Sequence, residues 1–475
     1  MLSPPSARTR RKFEVALLAL AGAALAFQLL LPPIVGLANN GDFSRVAEPL
    51  GIFPPEEIGA AAYFDWVVPQ YRFDTSRLWF HGLCCYSSQT LFVILAVPVG
   101  VLISPPGGFD LRAIGIVNVL GFLAATWLLV LASRPLHPAP RAAAGLLFVH
   151  AFTDVSYATY FNSLYTEPAA LIFFLASLAL ALLIAERPAP SGWLIAGFFL
   201  SAALLSTSRP QNALLGIPLA ILGMRLAWPD HARSRRFLVT AAALTVCVVS
   251  VWYFRSTPGP LGRIHLYNAV FRELLPASDD PKRDLSELGL PPELARLAGG
   301  SGFSSTAPIA DPRFRDMFYA RVGYGKLARF YLSHPKKLWM AIERTAAHAF
   351  EIRPLRIGNY TRSAGKFAGA RSGSFDLWSR AKERFAPTHP AFVIGYLAVN
   401  LAAAIALRAS ARDRAAAGAA EIWIVVVLVA AFQFSVSAVM EHESRRSLFL
   451  FNASCDVLFL ALTTRIVAAL PRRAR

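Results

Sequence analysis

Charged residues are scarce in this chain of 475 residues. They make up 16% of the sequence, against about 25% in an average soluble domain, whereas 55% of the residues are hydrophobic and the mean hydropathy is +0.46. Long uncharged runs recur from one end to the other. This composition excludes a soluble globular protein and predicts an all-α protein that crosses a membrane many times.

Cysteine is also rare, with four residues in the whole chain. Cys84 and Cys85 are adjacent, and a disulfide between neighbours would be strained. Cys247 and Cys455 lie inside apolar runs, where cysteine behaves as a small hydrophobic residue. No spacing typical of a metal site, such as C-x-x-C, occurs. The sequence therefore predicts neither a disulfide framework nor a metal centre.

Acidic residues are outnumbered by Lys and Arg, 29 to 47, which gives a formal net charge of +18. The basic residues cluster at the ends of apolar runs, where the positive-inside bias and anionic lipid headgroups place them, so nucleic-acid binding is not expected. Four basic segments are expected in the cytoplasm: 8–12, 233–236, 408–414 and 465–475.

About ten apolar runs are predicted to span the membrane: 13–37, 113–133, 141–155, 168–186, 192–207, 211–227, 237–254, 389–407, 421–440 and 447–463. If the further run 87–103 also crossed, three of the four basic segments would face outward. We therefore expect 87–103 to be an embedded arm that does not cross, broken by Pro98. Both termini then lie in the cytoplasm, and the chain is expected in the plasma (inner) membrane.

Three parts of the chain are expected to differ in role. Residues 1–254 form an N-terminal transmembrane module whose first outer loop, 38–112, carries catalytic residues. Residues 255–388 form a loop domain on the outer face, and 389–475 form the C-terminal transmembrane helices.

The segment 39–45 (NNGDFSR) directly follows the first apolar run. Asn, Gly and Asp in succession are typical of a turn, which accounts for Asn40 and its neighbours. A carboxylate at a membrane boundary, Asp42, could also serve as a general base, with its pKa set by partial burial and by a cation such as Arg45. This segment alone leaves both interpretations open.

A second acid precedes the fourth run in the sequence Tyr165-Thr-Glu167-Pro168. Glu167 followed by Pro168 is an ordinary helix start, because the helix dipole favours an acid and the first turn tolerates proline. The alternative is a second outward carboxylate facing Asp42, among aromatic and amide groups that suit a sugar.

Two outward segments carry unexpected positive charge. Arg209 and Gln211 lie between two apolar runs, where Arg209 could cap a helix C-terminus or bind a lipid phosphate. The segment 441–446 (EHESRR), with His442, Arg445 and Arg446, could be a self-paired turn or a phosphate clamp. Asp456 follows inside the last run, where an acid is costly and is usually either functional or paired, with Asn452 or a neighbouring helix as the candidate partner.

These segments together resemble the GT-C superfamily of integral-membrane glycosyltransferases, in particular bacterial hexosyltransferases of surface-glycan synthesis. The resemblance is carried by the acid in the first outward loop, by FNSLYTEP at 161–168, by the long outward loop with YNAVF at 267–271, SHP at 333–335 and GNY at 358–360, and by RRSLFLFN at 445–452 with Asp456. The resemblance covers most of the chain and rests on the order of these segments and on their expected place at the outer side of the membrane.

The resemblance implies transfer of a hexose from a polyprenyl-phosphate sugar to a glycan acceptor on the outer face, with inversion and without a cofactor. Asp42 would be the general base, and Arg209, Arg445 and Arg446 would hold the carrier phosphate. The other expected substrate contacts are Asn40, Arg45, Tyr165, Glu167, Gln211 and His442. Many members pair two acids in the first loop, whereas Asp42 stands alone until Glu48, so we expect no metal requirement.

A transporter or flippase for lipid-linked glycans is the alternative function. That class would show charges within the spans and a repeat relating two halves of the chain. Few such charges and no repeat are found in the sequence. The third interpretation is a noncatalytic scaffold or a polymerase-like relative that uses a different donor.

Overall fold

The computed structural model describes residues 7–55, 62–78, 87–228, 233–256, 260–304, 306–354, 356–440 and 445–469. Its helices begin with α1 (Ala7–Leu30), α2 (Ser44–Ala47), α3 (Ala62–Asp65), α4 (Gln89–Leu102), α5 (Arg112–Ala132), α6 (Pro138–Phe152), α7 (Val155–Phe161), α8 (Glu167–Ala185), α9 (Gly192–Ser206), α10 (Gly216–Ala227) and α11 (Arg233–Ser256). They continue with α12 (Pro260–Asn268), α13 (Pro281–Glu287), α14 (Pro312–Arg321), α15 (Tyr324–Ser333), α16 (Pro335–Ala346), α17 (Leu377–Phe385), α18 (Pro390–Ser410), α19 (Arg414–Met440) and α20 (Phe449–Ala469). The strands are β1 (Leu50–Phe53), β2 (Gln70–Leu78) and β3 (Gly108–Asp110).

Within the described residues, seven helices are long and apolar enough to cross a membrane: α1, α5, α8, α11, α18, α19 and α20. The expectation of a mostly helical polytopic membrane protein is thereby confirmed. Helix α8 is buried along almost its whole length and packs against α5, α9, α19 and α20. A helix that is hydrophobic all round belongs at the centre of such a bundle.

Three of the ten expected spans form shorter helices. Helices α6 and α9 have 15 residues each and α10 has 12. At a rise of 1.5 Å per residue they are about 18–23 Å long, whereas the hydrocarbon core is about 30 Å thick. A 3₁₀ turn, Pro210–Leu215, precedes α10 and prolongs it.

The expected break at Pro98 is wrong, because α4 continues through this proline to Leu102. Proline removes one backbone donor from a helix, and neighbouring groups in a membrane bundle compensate for that loss. Before α4, Ser88 N donates to Thr207 O (3.0 Å) and Ser87 Oγ donates to Ser208 O (2.7 Å). After α4, the chain leads into β3, which pairs with β2 of the first loop.

The first loop also contains a small sheet that the sequence did not predict. Its three antiparallel strands are ordered β1-β2-β3, with Ile52 opposite Phe73 and Tyr71 opposite Phe109. Gly51 has a φ of +73°, and a Cβ there would lie 2.3 Å from a backbone oxygen of β2, so glycine is required. The sheet joins the segment after α2 to the link between α4 and α5.

Residues 260–389, between α11 and α18, project from one end of the bundle, which we call the loop end. Phe271, Leu285, Phe318 and Leu327 are fully buried in a hydrophobic core of this segment. Helix α16 packs against α18 and α19. The chain that follows α1 also contacts this segment, since Ala38 N donates to Gly358 O (3.0 Å).

Asp456 of α20 has a structural partner from the same segment. Lys382 Nζ of α17 lies 2.8 Å from Asp456 Oδ1, and the Tyr157 hydroxyl donates to Asp456 Oδ2 (2.6 Å). Asn452 does not contact this carboxylate but donates to Ala349 O (2.8 Å). The ion pair therefore joins α17 to α20, and the hydrogen bond from Tyr157 joins α20 to α7.

Candidate active site

The turn at 39–45 is held by its own side chains. Asn39 Oδ1 accepts hydrogen bonds from Gly41 N (2.8 Å) and Phe43 N (3.3 Å), and Asn40 Oδ1 accepts one from Asp42 N (3.2 Å). Gly41 has a φ of +98°, a conformation that glycine adopts without strain. The turn expected from the sequence is therefore present, and it carries the Asp42 carboxylate.

Tyr165 anchors this turn to the bundle. Its hydroxyl accepts a hydrogen bond from Asn40 N (3.1 Å) and donates one to Ala38 O (2.9 Å). The Phe43 ring packs edge-on against the Tyr165 ring, with centroids 4.7 Å apart. Asn40 therefore contributes backbone and side-chain bonds that shape the turn.

Both oxygens of the Asp42 carboxylate face guanidinium groups. Arg45 Nη2 lies 2.5 Å from Oδ1, and Arg446 Nη1 binds Oδ2. Burial works to raise the pKa of Asp42, but Arg446 and Arg45 outweigh it and lower the pKa below its usual value. The Asp42 side chain is 21% exposed, so solvent and substrates can reach it.

Arg446 is the centre of the site. It lies on the 3₁₀ turn Arg445–Leu448 before α20 and binds Glu167 bidentately, with Nε–Oε1 at 2.7 Å and Nη2–Oε2 at 3.2 Å. Its guanidinium carbon lies 3.9 Å from the centroid of the Tyr165 ring. A planar cation that pairs with two carboxylates and stacks on a ring is a role for arginine and not for lysine.

Glu167, the first residue of α8, is fully buried. Besides Arg446 it pairs with Arg209, whose Nη1 lies 3.1 Å from Oε1 and also donates to Arg446 O (2.8 Å). Three guanidinium groups, those of Arg45, Arg209 and Arg446, therefore surround two carboxylates and leave one net positive charge. The buried Glu167 side chain positions arginines, and a direct contact with a sugar is not what this geometry favours.

Gln211 supports the same turn from the side. Its Nε2 donates to Ser447 O (2.7 Å) and to Gln433 Oε1 (2.5 Å), and Gln433 Nε2 donates to Asn212 Oδ1 (3.0 Å). Sequence reasoning missed Gln433, a buried amide in the apolar helix α19. Its signal was its polarity within a run that is otherwise hydrophobic.

Arg445 does not join Arg446 in one clamp. It pairs with Glu351, and its Nη2 lies 3.1 Å from His348 Nδ1. The expected twin-arginine phosphate site is therefore divided, because the 3₁₀ turn directs the neighbouring side chains to different partners. His442 lies outside the described residues.

A cavity of about 240 Å³ adjoins the turn. Its walls come from the turn, α2, β1, β2 and the residue after β1: Asn39, Gly41, Phe43, Ser44, Ala47, Glu48, Ile52, Pro54 and Tyr71. Within the described part of the chain, no group of three or more His, Cys, Asp or Glu side chains is placed to hold a metal ion.

The comparisons with known proteins identify a family. The model of the YfdI N-terminal transmembrane domain matches residues 7–475, and the chain belongs to that family. No curated protein matches the chain in sequence.

Among solved structures, the chain is similar to the oligosaccharyltransferase of Archaeoglobus fulgidus. Against the form tethered with an acceptor peptide the identity is 12% and the TM-score 0.39, over 95% of this chain and 49% of that one. Against AglB in complex with an inhibitory peptide and a dolichol-phosphate the values are 12% and 0.42, over 98% and 53%. The apo form gives 11% and 0.40, over 95% and 50%. The chain thus spans about half the length of these oligosaccharyltransferases, which are GT-C membrane glycosyltransferases.

Proposed function

We propose that this member of the YfdI N-terminal transmembrane domain family is a GT-C membrane glycosyltransferase. It moves a hexose from a polyprenyl-phosphate carrier to a glycan acceptor on the outer face of the plasma membrane, with inversion at the anomeric carbon. The observation that supports this proposal most strongly is the network of ion pairs that joins Asp42, Arg446, Glu167 and Arg209 at the loop end.

Asp42 is the general base of this proposal. Its lowered pKa keeps it ionised at neutral pH, so it can accept the proton of an acceptor hydroxyl. The hydroxyl oxygen then forms a bond to the anomeric carbon, and the bond between that carbon and the carrier phosphate breaks on the opposite face. The proton stays on Asp42, and the negative charge leaves with the phosphate.

The arginines stabilise that leaving phosphate. One net positive charge remains in the network before the donor binds, and 16% of the Arg209 side chain and 24% of the Arg45 side chain are exposed. Cations held in place before the reaction stabilise developing charge without having to reorganise. Glu167 positions Arg446 and Arg209 for this role.

Donor binding would also strengthen the base. A phosphate that pairs with Arg446 or Arg45 competes with the Asp42 carboxylate for the same guanidinium groups. When Asp42 loses a cationic partner its pKa rises, because the stabilisation of its charged form is weakened. The base would thus become effective when the sugar to be transferred is in place.

The distribution of basic residues supports one orientation in the membrane. Three of the four basic segments, 8–12, 233–236 and 408–414, lie at the ends of helices away from the loop end. The positive-inside bias favours these ends in the cytoplasm. The loop end and Asp42 would then face outward, where surface glycans are completed.

The proposal is tested by profiling the surface glycan of cells that make wild type, Asp42→Asn or Asp316→Asn. The last variant is a matched control, because the Asp316 side chain is 78% exposed on α14. With equal amounts of each protein in the membrane, we expect Asp42→Asn to lack one sugar and to accumulate the undecorated glycan. Wild type and Asp316→Asn should have the same complete glycan. An unchanged glycan in Asp42→Asn would refute the assignment of the base.

A further inference from the structure

The cavity beside the 39–45 turn is not used by the ion-pair network. Asp42 itself does not line it, although its neighbours Gly41 and Phe43 do. The Phe43 ring separates the cavity from Tyr165, which in turn lies under Arg446. The base therefore lies on the boundary between the arginines on one side and the cavity on the other.

We propose that this cavity binds one sugar ring of the acceptor glycan, with the Glu48 carboxylate accepting hydrogen bonds from its hydroxyl groups. This inference rests on the proposed function and adds the place and the chemical class of the acceptor.

The charge of the lining favours a neutral ligand. Among the described residues that line the cavity there is no Lys or Arg, and the one carboxylate is that of Glu48. A phosphate would meet no cation there and one like charge, so the donor's phosphate belongs on the arginine side. A carboxylate facing an uncharged polyol accepts charge-assisted hydrogen bonds, which are the strong kind.

Glu48 is available for such a ligand. Its side chain is exposed, and within the described ranges it has no hydrogen-bond or ion-pair partner. This differs from Asp42 and Glu167, both of which are held by arginines. A carboxylate without a protein partner at the mouth of a cavity is free to bind an incoming hydroxyl.

The size and floor of the cavity fit one ring. A volume of about 240 Å³ has room for one hexose ring. The floor includes the buried side chains of Phe43, Ala47, Ile52 and Tyr71. The paired strands β1 and β2 hold it in shape, so the site is formed before the ligand binds.

Two substitutions probe the cavity separately from the ion-pair network. Ala47→Leu fills the floor, and Ala47→Ser is its control because it adds a single oxygen atom. Glu48→Gln removes the carboxylate at the mouth, and Glu293→Gln on the exposed surface of the 260–389 segment is its control. All four proteins are purified in detergent and compared for monodispersity, so that only folded material is assayed.

The assay varies a polyprenyl-phosphate hexose donor and the undecorated glycan isolated from Asp42→Asn cells. We expect Ala47→Leu and Glu48→Gln to raise the KM for the acceptor tenfold or more and to leave the KM for the donor within twofold. The two controls should behave as wild type. If Ala47→Leu does not fold, Glu48→Gln decides alone.

Saturation-transfer NMR with a panel of methyl hexosides gives a second readout that needs no turnover. Wild type should bind at least one methyl hexoside, and Glu48→Gln should bind it more weakly. A rise in the donor KM, or no change in either KM, would overturn the proposal. Failure of the proposed function itself would be distinct, since wild type would then transfer no sugar from any donor.

Discussion

Among the residues at the loop end, Arg446 is expected to contribute most to the thermal stability of the protein. Replacing it with methionine leaves Glu167 fully buried with Arg209 as its remaining cationic partner. Breaking a buried ion pair by removing one partner costs about 3–5 kcal/mol. At about 2.1 cal/mol/K per residue, unfolding of the 475 residues as one unit has an entropy of roughly 1 kcal/mol/K. Arg446→Met should therefore lower Tm by about 3–5 °C.

The double variant Glu167→Gln/Arg446→Met distinguishes destabilisation by loss of the ion pair from destabilisation by loss of packing. It removes the uncompensated charge, so its destabilisation should be smaller than the sum of the two single variants by about 1–3 kcal/mol. Arg225→Met is the matched control, because Arg225 is 57% exposed in its pair with Glu421 and such surface pairs contribute about 1 kcal/mol or less. Tm is measured by tryptophan fluorescence in one detergent. Additive single and double effects, or a Tm for Arg446→Met no lower than for Arg225→Met, would refute the reasoning.

Four further outcomes follow from the described contacts. The paired Asp42 has a lowered pKa, so its contribution to stability is present above its unfolded pKa of about 3.9. That contribution is lost only as the pH falls through the lower pKa of the folded state. A loss of stability with its midpoint above pH 5 that is absent in Asp42→Asn would contradict this. Lys382→Met should destabilise the protein by about 3–5 kcal/mol and leave the donor KM unchanged, with partial recovery of Tm in the double variant with Asp456→Asn. Full transferase activity is expected in the presence of a chelator, and a loss restored by a divalent ion would show a metal requirement. Gly115→Ala should reduce the yield of monodisperse protein, because its Cβ would lie 1.8 Å from Asn162 Oδ1; a wild-type yield would show that Asn162 moves easily.

Much of the candidate site could be predicted from the sequence because membrane sidedness limits which segments can meet. Asp42 and Arg446 are 404 positions apart, yet each lies next to an apolar run at the loop end of the bundle. The same holds for Glu167 and Arg209. Topology alone therefore assigned these four residues to one end of the bundle, where the structure pairs them.

The remaining features depend on tertiary contacts that local patterns do not encode. Arg445 and Arg446 are neighbours in sequence, but the 3₁₀ turn sends one to Glu351 and the other to Glu167. Pro98 was expected to break the embedded arm 87–103, but the surrounding bundle lets α4 continue. The first-loop sheet escaped notice because β1 and β3 have four and three residues, too few for an alternating pattern to be recognised.

The central claim is that this site transfers a sugar and that Asp42 takes the proton. The most direct measurement reconstitutes purified wild type, Asp316→Asn and Asp42→Asn in liposomes with a polyprenyl-phosphate hexose and the undecorated glycan. Product is quantified by mass spectrometry, and its anomeric configuration is read by NMR. We predict equal product from wild type and Asp316→Asn, with the anomeric configuration inverted relative to the donor, and at least a hundredfold less from Asp42→Asn, within the range of about 10²–10⁴ expected for a general base. Transfer by Asp42→Asn at the wild-type rate, or a product that retains the donor's configuration, would contradict the account.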